Sequence, residues 1–443
     1  MLKKSVALGI IFFFLPFASI AQKRPLSLEE AISMGLEASP GLHASRMRVE
    51  SLEARSREIQ AGRLPAVRLG GGYTRLSEVP PFEVNLPVLA KPIVVSQNYF
   101  NSFSLRLGIE QPLFTGFRLQ AGAESARMLM KSAGHDLEKD RAEFIYAVKT
   151  AYWGLLRTRE FEKVIAENIR RVEEHLKDVK AFFEQGLMTK NDVLRVELEL
   201  SNAEMMRIEA RDAAEMALTT LNSLIGLPLD TDVGLTTAVE SQASPLAAEA
   251  DSQDEAAVVA AISDRPELKS ADSRVKASEF SLKAARSGYY PQVFLSGNYY
   301  YLRPNPRIMP ALDSFKGTWD VAVVVSFDLW NWGKTRSQEE QAKAQLAQAQ
   351  DGRKLLEDQA VLEITQSRLS LARAREKVRV ADLAVSQAGE NLRVTREKFK
   401  QGLALNTEVL DGEVSLLQVE LNRTQAKIDR MLAQASLEKA LGR

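Results

Sequence analysis

Apolar residues recur along this chain with two different periods, and each period appears twice in the same order. Val67, Leu69, Gly71 and Tyr73 alternate with Arg68, Gly70, Gly72 and Thr74, and Phe103, Leu105, Leu107 and Ile109 alternate with Ser104, Arg106, Gly108 and Glu110. Farther on, Val293, Leu295, Gly297, Tyr299 and Tyr301 stand against Gln292, Ser296 and Asn298, and Val321, Val323, Val325 and Phe327 against Ser326 and Asp328. One apolar and one polar face at a period of two predicts half-buried strands, at about 66–76, 102–112, 292–302 and 318–328.

The second period is helical. No proline occurs between Pro112 and Pro228 or after Pro310. Ile165, Ile169, Val172, Leu176, Val179 and Phe183 step by four and three, and their counterparts Ala381, Val385, Ala388, Leu392, Thr395 and Phe399 keep those steps. This spacing predicts coiled-coil-like packing of helices over Leu119–Gln185, Asn191–Ile225, Thr335–Gln401 and Thr407–Leu441. Shorter helices, Leu42–Arg63 and Glu267–Arg286, precede each strand pair. Leu119–Gln185 would run on the order of 100 Å and its return helix about half that, so the short helix is expected to cover the remainder.

Each long helix is interrupted by a matching stretch, FFEQGLMTKNDVL at Phe182–Leu194 and KFKQGLALNTEVL at Lys398–Leu410. Gly186 and Gly402 supply the residue that a helix C-terminus favours, and Thr189, Asn191, Asn406 or Thr407 can cap the returning helix. Both read as tips of helical hairpins, at about 185–192 and 401–408.

The whole pattern is a duplication. Gly62, Pro65, Val67, Leu69, Gly71 and Tyr73 match Gly288, Pro291, Val293, Leu295, Gly297 and Tyr299 at a spacing of 226. Leu105, Leu107, Leu113, Phe183, Gly186 and Leu194 match Val321, Val323, Leu329, Phe399, Gly402 and Leu410 at 216, so one loop between the paired strands absorbs the difference. The expected organisation is a first repeat at 22–226, an irregular linker at 227–263 and a second repeat at 264–443.

Composition narrows the function. Lysine plus arginine equals aspartate plus glutamate at 58 each, which gives no basic surplus for nucleic acid. There is no cysteine, which removes disulfides, thiolate metal sites and a cysteine nucleophile. Lys3 and Lys4, the apolar run Val6–Phe17 and Ser19-Ile20-Ala21 form a secretory signal peptide over 1–21, placing the mature chain beyond the inner membrane. His43, His135 and His175 are scattered over helical segments as surface or seam residues, Gly70-Gly71-Gly72 precedes no helix, and no catalytic grouping, metal site or cofactor motif emerges. Strands of about ten residues suit a tilted crossing of an outer membrane, but four of them cannot close a barrel and open edges are not tolerated in lipid. A membrane location therefore requires several copies. Tyr299, Tyr300, Tyr301, Trp319 and Trp330 at strand ends fit either an interfacial girdle or ordinary strand preference.

The duplicated order, the junctions Gln111-Pro112-Leu113-Phe114-Thr115-Gly116 and Asp328-Leu329-Trp330-Asn331-Trp332-Gly333, and the two tips resemble the TolC-like outer-membrane efflux channels over essentially the whole mature chain. The resemblance implies a mainly α fold with a small β part: a homotrimer whose strands form a twelve-stranded barrel in outer-membrane lipid, continued by a long periplasmic coiled-coil tube. It implies a passive duct in a tripartite efflux or type I secretion system, with a periplasmic adaptor (membrane fusion) protein and an inner-membrane efflux pump or ABC exporter as partners. Gly186, Leu187, Gly402 and Leu403 match the tip motif presented to adaptors, with Asp192 as the acidic residue two before Leu194. Glu408 and Asp411 match acidic positions that line the periplasmic constriction, where three copies would form an acidic ring. Glu408 also reads as a second-turn carboxylate stabilising its helix amino terminus. At Ala404 the family's best-known pattern has a basic residue that latches the closed state, and this chain lacks it. The alternative is a periplasmic coiled-coil adaptor or scaffold, which would share the tips but has no need of the strand pairs.

Overall fold

The computed structural model describes residues 24–80, 82–84, 87, 93–96, 98–237 and 262–442. The signal peptide at 1–21 lies outside these residues, as does the linker from 238 to 261. The elements run β1 (Arg24–Leu26), α1 (Leu28–Ala38), α2 (Pro40–Ala61), β2 (Ala66–Arg75), β3 (Phe82–Val84), β4 (Ile93–Ser96), β5 (Asn101–Thr115), α3 (Arg118–Glu184) and α4 (Lys190–Ile225). They continue with β6 (Val233–Leu235), α5 (Pro266–Ala285), a short 3-10 turn at Arg286–Tyr289, β7 (Gln292–Arg303), β8 (Lys316–Ser326), α6 (Lys334–Lys400) and α7 (Asn406–Ala440). The chain forms two compact units.

The first unit gathers Pro40–Ala142, the segment ending at Ile364 and the last residues. Its antiparallel sheet has the order β2-β5-β7-β8. Val67 faces Ile109, Leu69 faces Leu107 and Leu107 faces Tyr299, which in turn faces Trp319. Strand alternation therefore collects these side chains on one face, and all of them are exposed. The opposite face carries polar groups linked across strands: Arg68 to Glu110 at 3.2 Å, Arg106 to Asn298 at 2.8 Å, and Asn298 to Asp320 at 2.9 Å. Among the described residues β2 and β8 each pair on one side only.

The helices of this unit repeat the order of the strands. α2 runs antiparallel to the start of α3, with Ser45 bonded to Asp140 and Ile59 beside Gly122. α5 lies between α3 and α6. Ser132 bonds Ser270 at 2.9 Å and Arg274 bonds Asp136 at 2.6 Å on one side, and Arg353 bonds Asp272 at 2.8 Å on the other. Serine side chains permit this close approach because their small hydroxyls bond across the interface and leave no buried group unpaired.

The second unit gathers the chain up to Ser39, the segment from Glu143, and Thr365–Ala440. The linker expected to be irregular contains β6, which pairs in parallel with β1. Apolar Val233 and Leu26 are buried there with Tyr152 and Trp153, and the Tyr152 hydroxyl donates to the Leu26 carbonyl at 3.0 Å. Three-residue strands are too short for a period of two to reveal them. Similarly, the proline-rich loop contains the small hairpin β3–β4. Along α3, Ile165, Ile169, Val172 and Val179 are buried, but Phe183 is 40% exposed. Past Val179 the available partner is the second hairpin, and Phe182 rather than Phe183 points towards it, with its ring 5.7 Å from that of Phe399.

Candidate functional site: the hairpin tips

Both tips terminate a 67-residue helix in the same way. Gly186 and Gly402 have φ of 75° and 74°. Leu187 N–H donates to the Phe182 carbonyl at 2.9 Å and Leu403 N–H to the Lys398 carbonyl at 2.8 Å, the long bond of a Schellman turn. A Cβ at either glycine would meet nothing within 4 Å, so the torsion and not crowding demands glycine. In such a turn the residue after the glycine usually packs back onto the helix. Here Leu187 is 68% and Leu403 72% exposed, which leaves two leucines bare at the tips.

The returning helices start differently. Thr189 caps α4 in a reciprocal box: its side chain accepts from the Asp192 amide at 3.3 Å, and the Asp192 carboxylate accepts from the Thr189 amide at 3.0 Å. These bonds, with the Thr189 hydroxyl contributing most, hold the Asp192 carboxyl below its ordinary pKa. That stabilisation is present above the unfolded carboxyl pKa and is lost as pH falls through the depressed folded value. Thr189→Ala is expected to weaken the cap by about 1 kcal/mol, read as roughly fivefold faster hydrogen exchange in the first turn of α4, with the difference from wild type shrinking in acid. Unchanged exchange at neutral pH would rule the cap out as a determinant of the tip.

At the second tip neither Asn406 nor Thr407 caps the helix. Leu405 precedes α7, and its amide donates to Glu408 Oε2 at 3.3 Å. Glu408 therefore stands in the first turn, not the second. The Asn406 side chain is buried because it ties the two hairpins together, bonding His175 Nε2 at 2.7 Å and donating to the Asp192 carbonyl at 3.2 Å. Behind it Arg396 pairs with Glu413 at 2.7 Å and donates to the Arg171 carbonyl at 3.1 Å, while Arg171 pairs with Glu420 at 2.8 Å. Burial pushes the His175 pKa down and the Glu413 pKa up, the latter opposed by Arg396. Sequence periodicity overlooks this network, although one signal was available: Glu413 stands four after Val409 and three before Leu416, on the apolar seam.

Glu408 and Asp411 lie on the other side of α7. Both are exposed, share one face with Ser415 and Gln418, and have no ion-pair partner among the described residues. Asp192 belongs to the first tip and is held by Thr189, apart from that stripe. Ala404 and Met188, equivalent in the two halves, pack into the apolar core between the hairpins with Phe399 and Val193. Ala404 thus contributes to packing where the family pattern has a charge.

An amphipathic antiparallel sheet with free edges, joined to long helical hairpins with bare apolar tips, is the architecture of an outer-membrane channel protomer. The sequence model of the outer membrane efflux protein family matches residues 31–227 and 257–443, and the chain belongs to that family. It is 24% identical over 353 residues to outer membrane efflux protein BepC of Brucella suis, spanning 78% of this chain and 73% of that protein. It is 22% identical over 351 residues to the alkaline protease secretion protein AprF of Pseudomonas aeruginosa, spanning 76% and 69%. The outer membrane protein VceC of Vibrio cholerae shares the fold, with a TM-score of 0.79, 18% identity and 94% and 96% of the two chains covered. The protein is accordingly an outer-membrane channel component of the efflux and secretion class, which removes the adaptor or scaffold alternative.

Proposed function

We propose that three copies close into a ring and act as a passive, non-enzymatic export duct. The carrying observation is that sheet and helices follow one lateral order and end in free edges, β2 with α2 and β8 with α6. An edge cannot stay unpaired in lipid. Three copies of a four-stranded sheet give a twelve-stranded barrel whose apolar face meets lipid and whose polar face lines water. Energy and substrate choice then belong to an inner-membrane pump or ABC exporter, coupled through a periplasmic adaptor protein. The bare Leu187 and Leu403, with Gly186, Gly402 and Asp192 shaping the turns, are the surface offered to that adaptor. Recovery in the outer-membrane fraction as a heat-modifiable trimer band tests this assembly, and recovery only as a soluble monomer would refute it.

Within this duct Glu408 and Asp411 line the periplasmic constriction. Their support is exposure without ion pairing, on a helix face turned away from the apolar core. Three copies of each around a narrow axis attract cations and repel anions. In planar bilayers, Glu408→Gln with Asp411→Asn is expected to abolish most of the cation preference and the block by divalent ions. Unaltered selectivity in the double variant would exclude these residues from the constriction.

A further inference from the structure

The two halves of the chain meet through a joint at the level where helices become strands, and each half carries both sides of that joint. The knob of the first half is the turn from β5 into α3, where Gly116 and Phe117 adopt φ of 59° and 68°. Its socket is the turn from α5 into β7. Phe114 and Phe117 meet the Tyr290 ring edge-on at 6.4 and 5.8 Å, and Lys283 Nζ lies 5.4 Å from the centre of the Phe117 ring. Gly116 sits so close that a Cβ there would lie 2.6 Å from the Ser287 carbonyl oxygen and 3.0 Å from the Tyr290 Cβ.

The repeat spacing identifies the second copy of each part. At 216 residues, Trp330 and Trp332 correspond to Phe114 and Gly116, and Trp332 and Gly333 repeat the left-handed pair with φ of 55° and 77°. At 226 residues, Arg57, Ala61 and Leu64 correspond to Lys283, Ser287 and Tyr290. These second parts do not meet. Trp330 and Trp332 are 75% and 89% exposed. Arg57, Ala61 and Leu64, with Gln60 and Arg63, line an open cavity of about 440 Å³, and neither guanidinium has an ion-pair partner among the described residues. The sizes are exchanged at two of the three knob positions: Ala61 and Leu64 are smaller than Ser287 and Tyr290, and the indoles are larger than Phe114 and Gly116, while Gly333 replaces Phe117. The knob lies on the β8–α6 edge and the socket on the β2–α2 edge, the two edges that a ring brings together.

We propose that this cavity is the docking site for Trp330 and Trp332 of a neighbouring copy, so that the joint between halves within one chain is repeated between chains in a wider form, since a Cβ at Gly116 would lie 2.6 Å from a backbone carbonyl and Trp332 carries one there. Gly333 stands where Phe117 does, so Arg57 takes its ring from an indole instead, a cation–π contact for which tryptophan is the strongest partner. Each indole would bury about 150–250 Å². The inference rests on the ring assembly proposed above and specifies which residues join its copies.

The absence of cysteine makes the test direct. A Cβ at Gly116 would lie 3.0 Å from the Tyr290 Cβ, so Trp332 and Leu64, with real side chains, must stand slightly farther apart, which brings them towards the ~3.5–4.5 Å of a disulfide. Oxidised Leu64→Cys/Trp332→Cys protein is expected to give covalent dimers and trimers that vanish on reduction and are absent from each single variant. Hydroxyl-radical footprinting of the wild-type assembly, which needs no substitution, should find both indoles and Leu64 protected. If native mass spectrometry shows a trimer while the indoles oxidise freely and no cross-link forms, the joint is wrong and the ring stands. A monomer by the same measurement overturns both. Retention of phospholipid by the wild type and its loss in Arg57→Ala/Arg63→Ala, without cross-linking, would reassign the cavity to lipid and overturn the proposal.

Discussion

Replacing Arg396 with methionine is expected to loosen the second hairpin by about 3–5 kcal/mol, the cost of stranding a buried charge. Glu413 is 1% exposed, and among the described residues Arg396 is its only salt-bridge partner and its second oxygen lacks a hydrogen bond. Hydrogen exchange in the first turns of α7 should accelerate by about 10²–10⁴-fold at pH 7, and Glu413→Leu on the same background should restore much of the loss because an apolar pair can occupy the site. The pH dependence has a definite sign. Burial holds the folded Glu413 pKa above its unfolded value, so its contribution is most favourable below the unfolded pKa and is lost as pH rises through the folded one. Without Arg396 the folded pKa rises further, and the variant's defect should be large at neutral pH and small in mild acid. His175 has the opposite sign: its depressed pKa gives stability above the unfolded value that falls away as pH drops through the folded one. Exchange indistinguishable from wild type at pH 7 would show that the pair contributes nothing to holding the hairpins together.

How legible these features are depends on how far a residue's neighbours lie along the chain. The four long strands, the two 67-residue helices and both glycine turns are set by local periodicity or by one torsion, and the sequence displays them directly. The second tip shows where this ends. Asn406 has the side chain of a capping residue and stands one position from the cap, yet it bonds His175 on another hairpin because burial there makes an unpaired amide costly. Phe183 continues a flawless heptad but is exposed, because the second hairpin lies on the side that Phe182 faces. Such outcomes depend on which hairpin packs against which, and a period cannot carry that. Glu408 and Asp411 stand out only through the family pattern, since an exposed carboxylate near a helix start has local reasons enough to be there.

Val323→Arg is expected to prevent most of the protein from reaching its folded, membrane-inserted form, whereas Ala322→Arg, one residue away, should leave it near wild type. Val323 faces Leu295 on the apolar face of the sheet and is exposed there, and Ala322 faces Ser296 on the polar face. An arginine on the lipid side of a barrel costs about 2–4 kcal/mol near the bilayer midplane, and a ring would bear that cost once per copy, while a lumen-facing arginine remains in water. The substitutions share strand and charge, and Ala322→Arg adds the more volume, so any general intolerance of β8 would affect it at least as much. Refolding into lipid vesicles, with the folded fraction read from heat-modifiable migration, separates them. Equal yields for the two variants would mean that the apolar face does not meet lipid, and would leave the row from Leu69 through Leu107 and Tyr299 to Trp319 without a partner.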